Sequence, residues 1–286
     1  MALRVHEHVT VLAALALIPI VCAHSPVAAQ GTSRLFPSRD QMPRLLAAPR
    51  EPVTGAKFVW NNDSPNEYGA GFDGEVAFGA SVPIYLIAGN DGFNGLTIGV
   101  DAGVFGRFTL ENNARELITT DWIFALPLTL RAGGNWYQFR YHHISAHLGD
   151  EYSARFNAEA EDYGRDALEM TVFRQATPEA GFYGGLNWSY NVHPDNAQRF
   201  IIRVGAQVEA QNREAALMPY GAVDVQWEQD NDWEPRLNLQ VGMRLPELRG
   251  RRMVRLAVEF FAGPSAQGQF HEEHVRHLTF GIYIDP

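Results

Sequence analysis

Residues 136–152 read WYQFRYHHISAHLGDEY. Through residue 142, aromatic Tyr137, Phe139 and Tyr141 alternate with polar Gln138, Arg140 and His142, the two-residue period of a β-strand whose faces meet different surroundings. The aromatic face then continues as His143, Ser145 and His147, and acids follow at Asp150 and Glu151. What that face touches decides both the fold and any chemistry.

The same period recurs on either side from about Val53 to the end of the chain. Val76, Phe78, Ala80, Val82, Ile84 and Leu86 share one face; so do Leu96, Ile98, Val100, Ala102 and Val104. Trp122, Phe124, Leu126, Leu128 and Leu130 form another row, followed downstream by those of Phe200–Val208, Leu237–Leu245 and Val254–Phe260. Almost nothing has helical spacing. About 12 strands are expected, within two either way, many of about 10–14 residues where soluble sheets use about 5–6. A tilted strand crossing a bilayer needs about 9–11 residues. Length therefore favours an all-β, single antiparallel transmembrane β-barrel over a secreted sandwich or lipocalin-like barrel.

Connections alternate between short (near residues 90–93, 132–135, 176–179, 211–214 and 247–251) and long (near 61–68, 107–116, 149–165, 192–198, 229–233 and 263–273). In such barrels short turns are periplasmic and long loops extracellular, so an even strand count puts both ends of the chain in the periplasm. The last strand, HLTFGIYI at residues 277–284, resembles the terminal insertion signal of outer-membrane barrels, although Asp285-Pro286 follow it.

Residues 1–29 have the form of a secretory signal peptide: Arg4, an apolar stretch from Val9 to Val21, and Val27-Ala28-Ala29 before a cleavage point. The single cysteine, Cys22, lies within it, so disulfides and thiolate metal sites are not expected in the exported chain. A proline-rich lead-in is expected at residues 30–52, periplasmic or partly plugging the barrel, with the barrel itself at 53–286. The net charge of −10 offers no basic patch for nucleic acid.

The faces opposite the apolar rows would line the lumen. They carry Glu75, Asp101, Asp121, Arg131, Arg140, Glu169, Arg203, Glu209, Asp224, Arg236, Arg244, Arg255 and Glu259. Mixed signs in a confined space favour pairing, and a barrel of about 12 strands is narrower than a porin of 16–18. A lumen filled by charge networks is expected, with a narrow channel as an alternative.

On a strand His143 and Ser145 point the same way, about 6–7 Å apart at Cα, within range of the hydrogen bond that an activated serine needs. The H-x-S pattern resembles that of outer-membrane phospholipase A and of lipid A 3-O-deacylase, barrels in which histidine and serine face the bilayer. The phospholipase pattern has Asn after the serine, where Ala146 stands here. Asp150, Glu151, Asp162 or a residue of a neighbouring strand would orient the histidine. A bulge near His142–His143 would reverse the faces and turn the cluster into the lumen. Zinc binding by His142, His143 and His147 fails on geometry, because the same-face histidines, His143 and His147, are about 13 Å apart on a strand. Loop acids and the run His271-Glu272-Glu273-His274 leave a bound divalent cation open; no other cofactor is expected.

Several segments together, RLLAAPREP (44–52), GLTIGVDAGVFGRF (95–108), LITTDWIFALPLTLRAG (117–133), FRYHHISAHLGDEY (139–152) and FFAGPSAQGQF (260–270), resemble the DUF1207 family of outer-membrane proteins, which has no assigned activity. The family's central motif is similar to YHQSSHLGDE; His143, Ser145, His147, Leu148, Gly149, Asp150 and Glu151 persist, whereas Ile144 and Ala146 depart from it. The resemblance implies an envelope barrel. The expectation is a non-porin outer-membrane barrel whose partners are outer-membrane lipids, lipopolysaccharide and the barrel-insertion machinery. An outer-leaflet lipid or lipid A acyl hydrolase using His143 and Ser145 is the alternative with defined chemistry; a secreted carbohydrate-binding β-protein is the remaining one.

Overall fold

In a computed structural model, described here for residues 33–37, 42–89, 94–195, 197–211, 217–245 and 253–285, the alternating segments become one closed wall. The signal-peptide region, the expected turns at residues 90–93 and 247–251, and all but the first residue of that at 211–214 lie outside these residues. A two-residue strand β1 (Arg34–Leu35) precedes β2 (Thr54–Asp63), β3 (Gly71–Ala88), β4 (Gly95–Thr109), β5 (Leu117–Ala132) and β6 (Asn135–Leu148). A short helix α1 (Asp150–Phe156) separates them from β7 (Tyr163–Gln175), β8 (Ala180–His193), β9 (Phe200–Glu209) and β10 (Met218–Glu228). The chain finishes with β11 (Pro235–Leu245), β12 (Met253–Pro264) and β13 (His274–Asp285). Each strand from β2 to β13 pairs antiparallel with its sequence neighbour, and β13 pairs with β2, closing a 12-strand barrel. Closure leaves no long unpaired edge.

The apolar rows face outward. Phe78, Val241, Met170, Val208 and Phe280 are each more than half exposed. Toward one end, where the longer loops lie, Trp60, Trp122, Trp188 and Tyr190 stand outward as well, and toward the other end Tyr85 and Tyr137 do. An apolar band between aromatic girdles is the surface of a membrane barrel. The polar rows are buried: Glu75, Asp121, Asp224 and Arg255 each keep 2% exposure or less.

One expected row is broken. The ladder between β3 and β4 shifts by a residue between Pro83 and Tyr85. Below that bulge Tyr85 and Ile87 are outward and Leu86 is buried, the reverse of the Ile84/Leu86 phase that unbroken alternation predicts. Pro83 has no N–H to give to a ladder, which is why such irregularities collect at proline.

The long connection expected near residues 149–165 contains α1. Asp150 and Glu151 occupy its first turn, where the helix dipole favours acids, and Asn157 ends it in the left-handed conformation. Its buried Tyr152 packs with Phe156, Tyr68 and Phe270, and its hydroxyl accepts a bond from the Glu67 amide. Arg155 pairs with Glu116, which also accepts from the Tyr68 hydroxyl. These contacts hold the Glu116 carboxyl down at about 2, chiefly through the Arg155 hydrogen bonds and then that from Tyr68. The cluster ties four loops together over the loop end of the barrel.

Residues 42–53 run inside the wall, so the lead-in acts as a plug. Leu45 packs with Trp136, Phe173 and Tyr183, and Leu46 with Tyr220, Ala257 and Tyr283. Tyr183 lies so close over Gly205 that a Cβ there would meet its ring at 2.1 Å, so only glycine permits this arrangement. Deeper in, Arg50 donates to Asp121 at 2.6 Å and Glu75 at 3.3 Å. Glu51 accepts two bonds from Arg140 and one from Arg203, all at 3.0 Å. Arg140 also reaches Glu169 at 2.7 Å. The expected mixed-sign lumen is thus paired partly through a segment in which the sequence showed no chemistry. Cavities of about 70, 90 and 110 Å³ remain beside the plug, each with room for a few waters.

Candidate functional site

The register of β6 runs without a shift from its first residue to Leu148 against β5, and to Ala146 against β7. Alternation therefore persists: Gln138, Arg140, Ile144 and Ala146 are buried inside, and Tyr137, Phe139, Tyr141, His143, Ser145 and His147 face out. The bulge that would have turned Ser145 into the lumen does not occur. Ser145 is paired directly with Trp122 of β5, a member of the loop-end aromatic girdle, which sets its depth near the rim of the apolar band.

His143 lies directly opposite Asp166 of β7, and its Nδ1 is 2.8 Å from Asp166 Oδ1. The same oxygen accepts from the Tyr141 hydroxyl at 2.7 Å, and Oδ2 accepts from Asn191 Nδ2 at 2.9 Å. Asn191 reaches it because the β7–β8 ladder shifts between Asp166 and Ala167, so that Tyr190 and Asn191 are both exposed on β8. Bulges of this kind re-aim side chains. Three donors on one carboxylate offset the cost of an acid on an outward face and hold it in one orientation. With the Nδ1 proton donated to Asp166, Nε2 is the free basic nitrogen of the ring. No hydrogen bond joins Ser145 Oγ to that ring among the described residues; in substrate-free sites such bonds are often long and tighten on binding.

Asp150 and Glu151, expected as orienting acids, are exposed in the first turn of α1, and no hydrogen bond or ion pair links either to His143 among the described residues. Asp162 lies in the loop beside His193, 3.9 Å from its Nδ1. The acid that meets His143 comes from the neighbouring strand. Its trace in the sequence is a carboxylate in the outward row of Leu168, Met170 and Val172; the partner it meets depends on register. His142 faces the lumen. His271 is buried with Nδ1 3.0 Å from the Gly268 carbonyl, and His274 bonds Glu234, so the loop run is divided between separate partners. Among the described residues no group of three or more His, Cys, Asp or Glu is placed to hold a metal ion.

Residues 13–285 match the family described as protein of unknown function, DUF1207. The chain belongs to the DUF1207 family. No curated protein sequence matches it. Among solved structures this DUF1207 barrel is similar to outer membrane phospholipase A from Escherichia coli, with a TM-score of 0.54 and 12% identity over 84% of this chain and 95% of that one. The Salmonella typhi outer membrane phospholipase, solved as a dimer with bound calcium, gives 0.56 and 13% over 82% and 90%. An E. coli variant in which an active-site asparagine is replaced by alanine gives 0.54 and 11% over 83% and 93%. At these identities the likeness establishes that the DUF1207 chain has an outer-membrane β-barrel fold.

Proposed function

We propose that the protein is an acyl-ester hydrolase acting on lipids of the outer leaflet, with Ser145 as nucleophile, His143 as general base and Asp166 as the acid that orients the ring. The observation that carries this reading is the 2.8 Å contact between His143 Nδ1 and Asp166 on the outward face beside Ser145. A surface network needs no particular order of residues. Here the acid holds Nδ1, which leaves Nε2 for a serine two residues along the same face. In the reaction, His143 Nε2 takes the Ser145 proton as Oγ bonds to the ester carbonyl carbon. The tetrahedral intermediate then collapses, the carbon–oxygen bond to the lipid alcohol breaks, and His143 returns its proton to that oxygen. Water, deprotonated by the same nitrogen, attacks the acyl-serine carbonyl carbon; the carbon–Oγ bond breaks, His143 returns that proton to Ser145 Oγ, and a fatty acid leaves.

This reading takes the chain to be exported by its signal peptide and puts the loop end of the barrel at the cell surface, so that the site meets outer-leaflet acyl chains. The likeness to phospholipase barrels, one of them with an active-site asparagine, supports it at the level of fold. The plug formed by residues 42–53 favours a closed barrel over a channel. The test is lipid mass spectrometry of cells expressing wild type, Ser145→Ala and His143→Ala. Wild type should accumulate a deacylated phospholipid or lipid A species that both variants lack; identical profiles would overturn the reading.

A further inference from the structure

The surroundings of Ser145 differ on its two sides. Toward β5 it meets Trp122, and the next outward residues along that strand are Phe124 and Leu126, all more than 40% exposed. Toward β7 its direct partner is Gly164, and across Gly164 on β8 stands His193. Directly paired residues of an antiparallel sheet project to the same side, so Gly164 is the outward position between Ser145 and His193. It has no side chain to project. A Cβ built there would meet nothing nearer than the Ile144 carbonyl oxygen at 3.8 Å, so glycine is not needed to avoid a clash. The backbone there is not left-handed either, since Gly164 is absent from the positive-φ glycines. Packing and conformation therefore leave the glycine unexplained. What it does is keep open a slot about 10 Å wide between the flanking strands.

One wall of that slot is Ser145, and the other is His193, whose Nδ1 lies 3.8 Å from Asp195 and 3.9 Å from Asp162. The site is therefore apolar on the β5 side and polar on the β8 side. An ester of a long-chain acid has the same asymmetry. We infer that the slot over Gly164 receives the alcohol half of the lipid ester, the glycerol and headgroup of a phospholipid, while the acyl chain descends over Phe124 and Leu126. Gly164 is then a specificity-determining position: it admits a bulky alcohol beside the nucleophile without touching the His143–Asp166 pair. This rests on the hydrolase reading above.

The experiment compares wild type, Gly164→Ala, Gly164→Leu and Ser145→Ala as purified full-length barrels, each checked for heat-modifiable migration. Two activities are read, on phosphatidylethanolamine in mixed micelles and on a short-chain nitrophenyl ester, together with labelling of Ser145 by a small fluorophosphonate. Gly164→Leu should lose phospholipid hydrolysis by on the order of tenfold or more, as misplacement at a reacting centre does, and lose more of it than of nitrophenyl ester hydrolysis, whose alcohol half is small, while Ser145 still labels. Gly164→Ala, which the open space accommodates, should fall between and retain the wild-type fold. Phospholipid hydrolysis by Gly164→Leu at the wild-type rate, with Ser145→Ala inactive, overturns the slot and leaves the hydrolase standing. Loss of labelling together with both activities also overturns it, because Gly164 would then be supporting Ser145 itself. A wild-type barrel that neither labels nor hydrolyses overturns the hydrolase reading and the slot with it.

Discussion

His143 of β6 and Asp166 of β7 occupy directly opposed positions in the barrel wall, and the 2.8 Å bond between Nδ1 and Oδ1 crosses one strand spacing on the outward face. If this pair orients the base, removing the acid should lower turnover more than binding. Asp166→Ala is expected to reduce kcat on the order of a hundredfold or more, with KM little changed. Asp166→Asn, with its carbonyl oxygen turned to the ring, can still accept from Nδ1 and should lose less. Steady-state kinetics on micellar phospholipid check both; unchanged kcat in Asp166→Ala would remove the acid from the mechanism.

The bulge that brings Asn191 to Asp166 gives a second expectation. Asn191→Leu and Tyr141→Phe each remove one donor from the carboxylate, worth about 1.5–3 kcal/mol for a bond to a charged group. Each should slow turnover by about tenfold, and the double variant should depart from additivity because the donors share one acceptor. A double-mutant cycle on kcat measures that coupling.

Inside the barrel, Glu51→Ala leaves Arg140 and Arg203 without the carboxylate that joins them. Breaking a buried pair by deleting one partner costs about 3 kcal/mol, so the urea midpoint of the variant refolded into detergent should fall. Loss of the plug's anchor should also raise conductance across planar bilayers above the wild-type level. A stable and silent Glu51→Ala would show that the plug is held mainly by Leu45 and Leu46.

The outward face can be tested on a strand far from the candidate site. Val241, 66% exposed in the middle of β11, should tolerate Leu and reject Arg. Val241→Arg is expected to cost about 2–4 kcal/mol of folding stability in vesicles if it meets the bilayer core, read from equilibrium unfolding by tryptophan fluorescence. The same substitution on a surface facing water would cost almost nothing.

At the loop end, Glu116 sits at about 2 in the fold against an ordinary 4.5. A depressed carboxyl contributes stability that is complete above about pH 4.5 and lost as the pH falls toward 2. The protection of the α1 amides, taken relative to intrinsic exchange at each pH, should therefore fall across that window in wild type. In Glu116→Gln that fall should largely disappear, and protection should be lower at neutral pH.

The barrel was legible in the sequence because its cause is local. Alternation in the rows of Trp122–Leu130 and Leu237–Leu245 follows from the pleat of a single strand, and strands too long for an ordinary soluble sheet point to a bilayer. What is not local arises where two segments meet. The row through Ile84 and Leu86 reads as unbroken in the sequence, and the shift at Pro83 that reverses its phase depends on pairing with β4. The plug residues Arg50 and Glu51 look like linker until Asp121, Arg140 and Arg203, brought from β5, β6 and β9, surround them.

The candidate site divides in the same way. His143 and Ser145 stand out as candidates in the sequence because they lie two residues apart on one strand, a relationship that strand geometry sets without any partner. That they face outward was decided by unbroken register against β5 and β7, since a one-residue slip would have turned both inward. Asp166, Asn191 and Gly164 are ordinary residues in their own segments. Only the pairing of β6 with β7, and of β7 with the bulged β8, places them around Ser145, because contacts between strands depend on register and register is fixed by the closed barrel as a whole.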